Sequence, residues 1–428
     1  MQVALDYLGY RVTAQPWLRL AAPVYGGNGA EVHSPPPGLA VPVERLMAHA
    51  AERLHLAKHR VMGEMDLHCA GDVEVHLGSD DRVYLLDLAR SFPAEDAQAT
   101  RHLPVVGQPV FYRMLRPELL RLLRRRALLP QLSPDAFTGF SRGDPNAAYL
   151  ERNSTKATVY LLETVIPRFA RELADRVMTV GLEETPGPGS TSSVLPPGAR
   201  RLRSSDKKDA VPGPVPSSSS STTTTTSSSP GSGASSSSSF REPVSSDLHA
   251  HGINVRHLGL LRSMVPASAA TKPARDTLLV EMVARTLKNM LRGWLRGQLR
   301  EDRYPSEYRL STVVVGMLNF LVGPEATSSS GSRSGGGGDG GVSASGGFKR
   351  FWALAAIERH ARFGTSEAEF DGGPAAGRKL WEQVRPLRGR VVRYLCKMAA
   401  VRVSDKSLRQ FDAHLDAERR RGERREGR

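Results

Sequence analysis

The sequence predicts an α+β fold: hairpins and helices mixed in its first part, a helix-rich second half, and two disordered insertions. Three observations carry this. Within the first hundred residues, apolar side chains alternate with polar ones, the period of a strand. Beyond residue 276 they recur every three or four positions, the period of a helix. Two serine- and glycine-rich stretches carry no period at all. The chain has 428 residues, 39% of them hydrophobic, enough for a substantial core.

The elements follow in order. "YRVTAQ" reads as a strand, and "VYGGNGAEVHSPPPG" as a turn and loop. "VERLMAHAAERLHLAKH" reads as a helix with Leu46, Ala50, Leu54 and Ala57 on its apolar face. In "GDVEVHLGSDDRVYLLDLARSFPAE", Val73, Val75 and Leu77 alternate with Glu74 and His76. "RVYLLDL" returns as a second strand, and Asp80 and Asp81 close the turn between them. Asp87 ends that strand and is placed to cap the next turn through its carboxylate. "RPELLRLLRRRALLPQL" is a helix with Pro117 at its start, where a missing N–H is harmless. "KATVYLLETVIPRFARELADRV" is a helix kinked or broken at Pro167.

Residues 184–239 and 327–347 cannot bury enough apolar surface to order themselves. Between them, "RDTLLVEMVARTLKNMLRGWLRGQLR" is the strongest helix of the chain. Val283, Leu287, Leu291 and Trp294 or Leu295 line one face; Arg285, Lys288, Arg292 and Arg296 line another. "STVVVGMLNFLVG" suits a strand or a buried helix. Helical patterns occupy 348–412, and the charged tail 413–428 is expected to fray. Loop closure costs little extra as an insertion lengthens. Residues 1–183 and 240–300 are therefore expected to form one discontinuous domain around the insertion. Residues 301–326 then form an associated segment, and 327–347 a linker to the C-terminal region. The apolar face of the long helix is expected to dock on the helices of 117–129 and 156–175.

A formal net charge of +15 favours anionic partners such as RNA, DNA or acidic lipid. Two cysteines, Cys69 and Cys396, make no disulfide framework, so a reducing compartment is expected, with Cys396 a buried thiol. No apolar run reaches the roughly 18 residues of a membrane span, and the opening has neither a signal-peptide nor a presequence pattern. His55, His59, His68, Cys69 and His76 crowd one region, but their spacing lacks a closed set of zinc ligands. No metal and no cofactor is expected. Asp87 stands at a strand end, as the magnesium-binding aspartate of a kinase does, but no matching glycine-rich loop or catalytic loop accompanies it. No nucleophile elbow appears, so a non-enzyme is expected. The arginines of the long helix, with Arg124 and Arg125 on the earlier one, form the candidate nucleic-acid surface. Its contacts would go mostly to phosphates.

"HGINVRHLG" begins at His251. Gly252 is placed to end a short helix before it. Asn254 and Arg256 are expected to point one way along an extended edge or turn and to make internal polar contacts, with Ile253 and Val255 pointing the other way.

These motifs together resemble the clustered mitochondria (Clu) family, in its central Clu domain. "YLGYRVTAQPW", "VYGGNG" and "LHLAKHRV" carry part of the resemblance, with "LRPEL" and "DAF" after them. The hairpin contributes Gly78, Asp80, Arg82, Tyr84, Asp87, Arg90 and Pro93. "HGINVRHLG" contributes Gly252, Ile253, Asn254, Arg256, Leu258 and Gly259, next to His251. The matching motifs cover residues 5–185 and 240–300. The resemblance implies a cytoplasmic, non-catalytic protein of mitochondrial distribution, with mRNAs for mitochondrial proteins and translation-related or mitochondrial-surface proteins as partners. It supplies no catalytic residue. The family's ubiquitin-like region and its 34-residue repeats have no counterpart in this sequence. A protein-interaction scaffold that does not bind RNA, and a divergent phosphotransferase, are the alternative readings.

Overall fold

The computed structural model of the chain describes residues 3–7, 10–14, 19–27, 38, 40–105, 107–183, 244–302, 306–323, 344–366, 370–373 and 375–426. Residues 1–181 and 243–428 form one compact unit. A second unit, 182–242, lies outside the described residues apart from its first two. The insertion expected at 184–239 lies outside them, as does that at 327–347 up to residue 343.

The fold is α+β, with strands gathered at the N-terminal end and helices dominating the second half. Strands β1 (Val3–Tyr7) and β2 (Tyr10–Ala14) pair antiparallel, with Leu5 opposite Val12. Strands β3 (Leu20–Gly26), β6 (Glu74–Gly78) and β7 (Val83–Leu86) make a three-stranded antiparallel sheet in the order β3-β6-β7. The β3–β6 register shifts on both sides of Pro23, which has no N–H to give the ladder. Helix α1 (Ala40–Leu54) and the small hairpin β4 (His59–Val61) and β5 (Met65–Leu67) complete this region. Val24, Tyr25, Val43, Val61, Leu67, Val73 and Val75 form its core.

Helix α1 turns a different face inward from the one its sequence suggested. Val43 and Ala51 are buried and Met47 half-buried, whereas Leu46 is 64% exposed. Both sets share a four-residue spacing, so the period does not choose between them. Ala57 also falls off the helix, because His55 takes a left-handed conformation (φ 64°) directly after its end.

The second, larger core gathers the helices. α2 (Pro117–Arg125) buries Leu119, Leu120 and Leu123. α3 (Ala147–Tyr160) runs through a widened π-turn at Leu161–Val165 into α4 (Ile166–Glu183). That irregularity directly precedes Pro167, which can neither donate to the ladder nor tolerate the normal carbonyl approach. After the insertion come α5 (Val244–Ala250), α6 (Leu258–Met264), α7 (Lys272–Glu301) and α8 (Glu307–Val322). α9 (Ala344–Phe363), α10 (Ala375–Val384), α11 (Arg388–Ala399) and α12 (Asp405–Glu426) follow. "STVVVGMLNFLVG" thus resolves as helix, the last residues of the expected linker open α9, and most of the expected fraying tail is helical.

Helix α7 is buried nearly all round, the mark of a central helix. α11 and α9 cover most of its length, not chiefly the helices of 117–129 and 156–175. Trp294 meets Phe320 and Phe351 edge-on, at ring-centroid distances of 6.2 and 6.0 Å. Among the described residues, no helix is long and apolar enough to cross a membrane.

Candidate functional site

The segment after α5 builds the site from its backbone upward. Ile253 N–H donates to the Leu248 carbonyl and Gly252 N–H to that of His249, both at 2.9 Å. This double closure ends a helix with a left-handed residue, and Gly252 supplies it at φ 77°. A Cβ here would also lie 2.6 Å from the Leu119 backbone nitrogen, so only glycine lets the segment seat on α2. Ile253 and Leu248 are both fully buried, closing the turn with an apolar contact. Gly259 has the same role against α9, where a Cβ would strike the Phe363 carbonyl. His251 meets the Phe169 ring at a tilt, centroids 4.8 Å apart, and reaches Glu172 at 3.4 Å.

The expected alternation of Asn254 and Arg256 does not occur. Val255–His257 forms a 3-10 turn, and Asn254 caps it by accepting the Arg256 N–H at 3.3 Å. The turn swings Arg256 and His257 onto Glu95, which follows the hairpin in "SFPAE". Glu95 Oε1 lies 3.1 Å from His257 Nε2 and 3.2 Å from Arg256 Nη1. His257 Nδ1 meets His102 Nε2 at 3.2 Å. Burial alone pushes the Glu95 carboxyl up, but His257 and Arg256 outweigh it and hold it below its ordinary value. His102 is pushed down to about 4, by burial first and then by His257.

A cavity of about 440 Å³ opens beside this network. Tyr112, Arg113, Arg256, Arg285, Glu358 and Arg362 contribute its polar wall. Leu103, Pro104 and Phe363 contribute apolar surface. Arg256 Nη2 donates to the Tyr112 carbonyl at 3.0 Å. Arg113 is buried and donates to the carbonyls of Leu103 and Pro104 at 3.2 and 2.6 Å.

A second network holds the strand region together. Asp135, 0% exposed, lies 2.8 Å from His59 Nε2 and 3.1 Å from Arg90 Nη2, and accepts the Gly71 N–H at 2.8 Å. Arg90 also pairs with Asp72 at 2.7 Å and lies over the Phe140 ring at 4.9 Å. Arg90 is thus a buried strut. At the hairpin turn, Asp80 accepts the Tyr84 hydroxyl at 2.8 Å and the Arg82 N–H at 3.3 Å, while Arg82 projects into solvent. Asp87 is exposed, takes a left-handed conformation (φ 52°) and makes no side-chain cap. The expected carboxylate cap fails because that backbone turns the strand end into the 3-10 turn Leu88–Arg90 directly.

The clustered histidines have other work. His55 bonds the Leu129 carbonyl at 3.1 Å, His68 pairs with Glu44 at 3.1 Å and His76 with Glu74 at 2.9 Å. Burial, with Asp135 and Asp72 nearby, pushes the Cys69 thiol up to about 12. Cys396 is only partly buried. No group of three His, Cys, Asp or Glu residues among the described residues is placed to hold a metal ion.

The candidate nucleic-acid residues separate into two groups. Arg285, Lys288, Arg292 and Arg296 are half-buried along α7, not a freely solvated stripe, because α7 is central. Arg285 is tied to Glu281 at 2.7 Å, and Tyr394 of α11 donates to the same carboxylate at 2.9 Å. Arg362 of α9 comes within electrostatic reach of Arg285 and Arg292. Arg124 and Arg125 are exposed at the end of α2, where Arg124 neighbours His55. The sequence reading missed Glu95, His102, Arg113, Asp135 and Arg362. Arg256 was a usable signal for an acid, since a largely buried cation requires one.

Residues 1–97 match the family described as Clustered mitochondria. Residues 242–385 match the family described as Translation initiation factor eIF3 subunit 135. The protein named "Protein clueless" of Drosophila virilis is 34% identical over 142 residues, covering 28% of this chain and 9% of that relative. Its counterpart in Drosophila willistoni is 33% identical over 142 residues, covering 28% of this chain and 10% of that relative. The chain therefore spans about a tenth of the length of the curated relatives it matches. No solved structure matches it. Part of the chain is thus homologous to the Clu family.

Proposed function

We propose that this chain acts as a non-catalytic Clu-domain protein of the cytoplasm in mitochondrial organisation and distribution, through binding mRNAs for mitochondrial proteins. One observation carries the reading. Glu95 lies in the segment that matches the Clustered mitochondria family, and Arg256 and His257 lie in the second matched segment. A single buried ion network joins them, which supports reading the two matches as parts of one working unit. The net charge of +15 and the exposed Arg124 and Arg125 support an RNA partner, with Arg296 as the least anchored member of the α7 group. The match to a translation initiation factor subunit supports translation-related proteins as partners.

Loss of the gene should collapse the mitochondrial network into clumps under fluorescence microscopy; a normal network in the null strain contradicts the reading. Reversing Arg124, Arg125 and Arg296 to Glu should weaken filter binding of RNA about evenly across sequences and flatten its salt slope. An unchanged binding curve dismisses these arginines as an RNA surface.

One observation favours the second reading, a protein-interaction scaffold that does not bind RNA. The β1–β2 hairpin leaves Val3, Leu5, Tyr7, Tyr10 and Val12 exposed on one face. Ultraviolet crosslinking to RNA in cells separates the two: recovered RNA supports the first, and a protein-only yield the second.

A further inference from the structure

We propose that the cavity between the Val255–His257 turn and α9 binds a mononucleotide, with its phosphate on the arginines and its base against Tyr112. This goes beyond the RNA reading and does not depend on it, because the exposed arginines of that reading lie outside the cavity.

The charge of the wall is the first reason. Arg113, Arg256, Arg285 and Arg362 line the cavity against one acid, Glu358. Two buried acids behind the wall, Glu95 and Glu281, offset Arg256 and Arg285. Arg113 is held by the carbonyls of Leu103 and Pro104 and the Thr100 hydroxyl, which fix its direction without cancelling its charge. Four arginines against Glu358, Glu95 and Glu281 leave the wall an excess of one positive charge, facing an opening that water can enter. Guanidinium groups suit phosphate because their planar forks give two parallel N–H donors to two oxygens.

Preorganisation is the second reason. Arg256 is clamped between Glu95 and the Tyr112 carbonyl, and Arg285 is clamped by Glu281. These side chains are already ordered, so a ligand need not order them on binding. Arg362 alone of the four is exposed, with Glu358 one turn earlier on α9 as its nearby counter-charge.

The shape of the wall selects more than a bare phosphate ion. A volume of about 440 Å³ falls within the range of small-molecule sites. Leu103, Pro104 and Phe363 give it an apolar side. Tyr112 lines the cavity, is 46% exposed and has the Arg113 guanidinium at 5.6 Å from its ring centroid, so an aromatic side chain stands where a planar base would enter. An anionic end and a flat apolar end together describe a nucleoside monophosphate, either free or as the phosphorylated end of an RNA chain.

The test is calorimetric titration of the full chain with AMP and UMP, with adenosine, ribose 5-phosphate and inorganic phosphate as partial ligands. The nucleotides should bind at one site per chain, at least about tenfold more tightly than any partial ligand. Tyr112→Ala and Arg362→Glu should each weaken AMP binding about tenfold or more, the loss expected for one stacking ring or one phosphate contact. Their melting temperatures should stay near that of the parent chain, since neither side chain is buried. Arg125→Glu, outside the cavity, should leave AMP binding unchanged. A second arm compares a 5′-phosphorylated with a 5′-hydroxyl oligouridine. Preference for the phosphorylated end, competed by AMP, assigns the site to an RNA terminus; equal binding assigns it to the free nucleotide. No heat with AMP or UMP at millimolar concentration overturns the proposal, as does AMP binding that survives both cavity substitutions. RNA binding that survives Arg362→Glu while AMP binding is absent leaves the RNA reading standing and removes only this one.

Discussion

Two acids, Asp135 and Glu95, are almost fully buried, and they tie the molecule together over very different distances. Asp135 joins His59, Gly71 and Arg90, all within 76 residues of it in sequence. Glu95 joins His257 and Arg256 from the far side of the insertion, 162 residues away in the first case. The first network rigidifies the strand region within itself. The second fixes the strand region to the helices, and its Arg256 also lines the arginine-rich cavity. Burial of a charge costs several kcal/mol unless it is paired. Each acid therefore makes its partners obligatory, and the difference lies in what comes apart when one is lost.

The largest expected effect is at Asp135. Asp135→Ala leaves the Arg90 charge, the His59 ring and the Gly71 N–H short of a partner in a dry site. About 3–5 kcal/mol of stability should be lost by urea unfolding. Gly252→Ala comes next, at about 2–4 kcal/mol, because it adds left-handed strain to a clash with the Leu119 backbone. A loss under 1 kcal/mol would mean that the segment is not seated on α2 as described.

Acid should weaken the Glu95 network. His102 is held at about 4, below the ordinary value of about 6.5, so its neutral form stabilises the fold fully above pH 6.5. That contribution fades as pH falls from about 6.5 toward 4, and roughly 2 kcal/mol should go, allowing for partial solvent access. Glu95 is also held below its ordinary value and loses its contribution in the same direction, as pH falls through its folded value. His102→Gln should flatten the curve between pH 6.5 and 4; an unchanged slope would place the titration elsewhere. The smallest effect is at the hairpin tip. Asp80→Ala removes exposed bonds to Tyr84 and Arg82, and the urea midpoint should scarcely move.

The strand region was largely legible in sequence. The alternation of Val73, Val75 and Leu77 reports a local period, and "GSDD" reports a local turn. Gly252 was legible as a helix end for the same reason. What escaped were choices that depend on distant partners. Leu46 and Met47 are equally plausible inward residues until the sheet that covers one of them is in place. α7 read as amphipathic because its arginines recur at helical spacing, yet α9 and α11 surround it. Arg285 is consequently held by Glu281 at a cavity wall instead of standing in a freely solvated stripe. Arg256 read as an internal polar contact on an extended edge or turn; its charge called for an acid, but nothing local identifies Glu95, across the insertion, as that acid.

The central claim is that the strand region and the helices after the insertion are one folding unit, joined through Glu95. Residues 1–183 produced without 243–428 test it most directly, by urea unfolding followed with both far-ultraviolet and near-ultraviolet circular dichroism. The account predicts a broad transition with little near-ultraviolet signal, since Glu95 and the apolar faces of α2 and α4 lose their cover. A sharp cooperative transition, coincident in both signals, would contradict it.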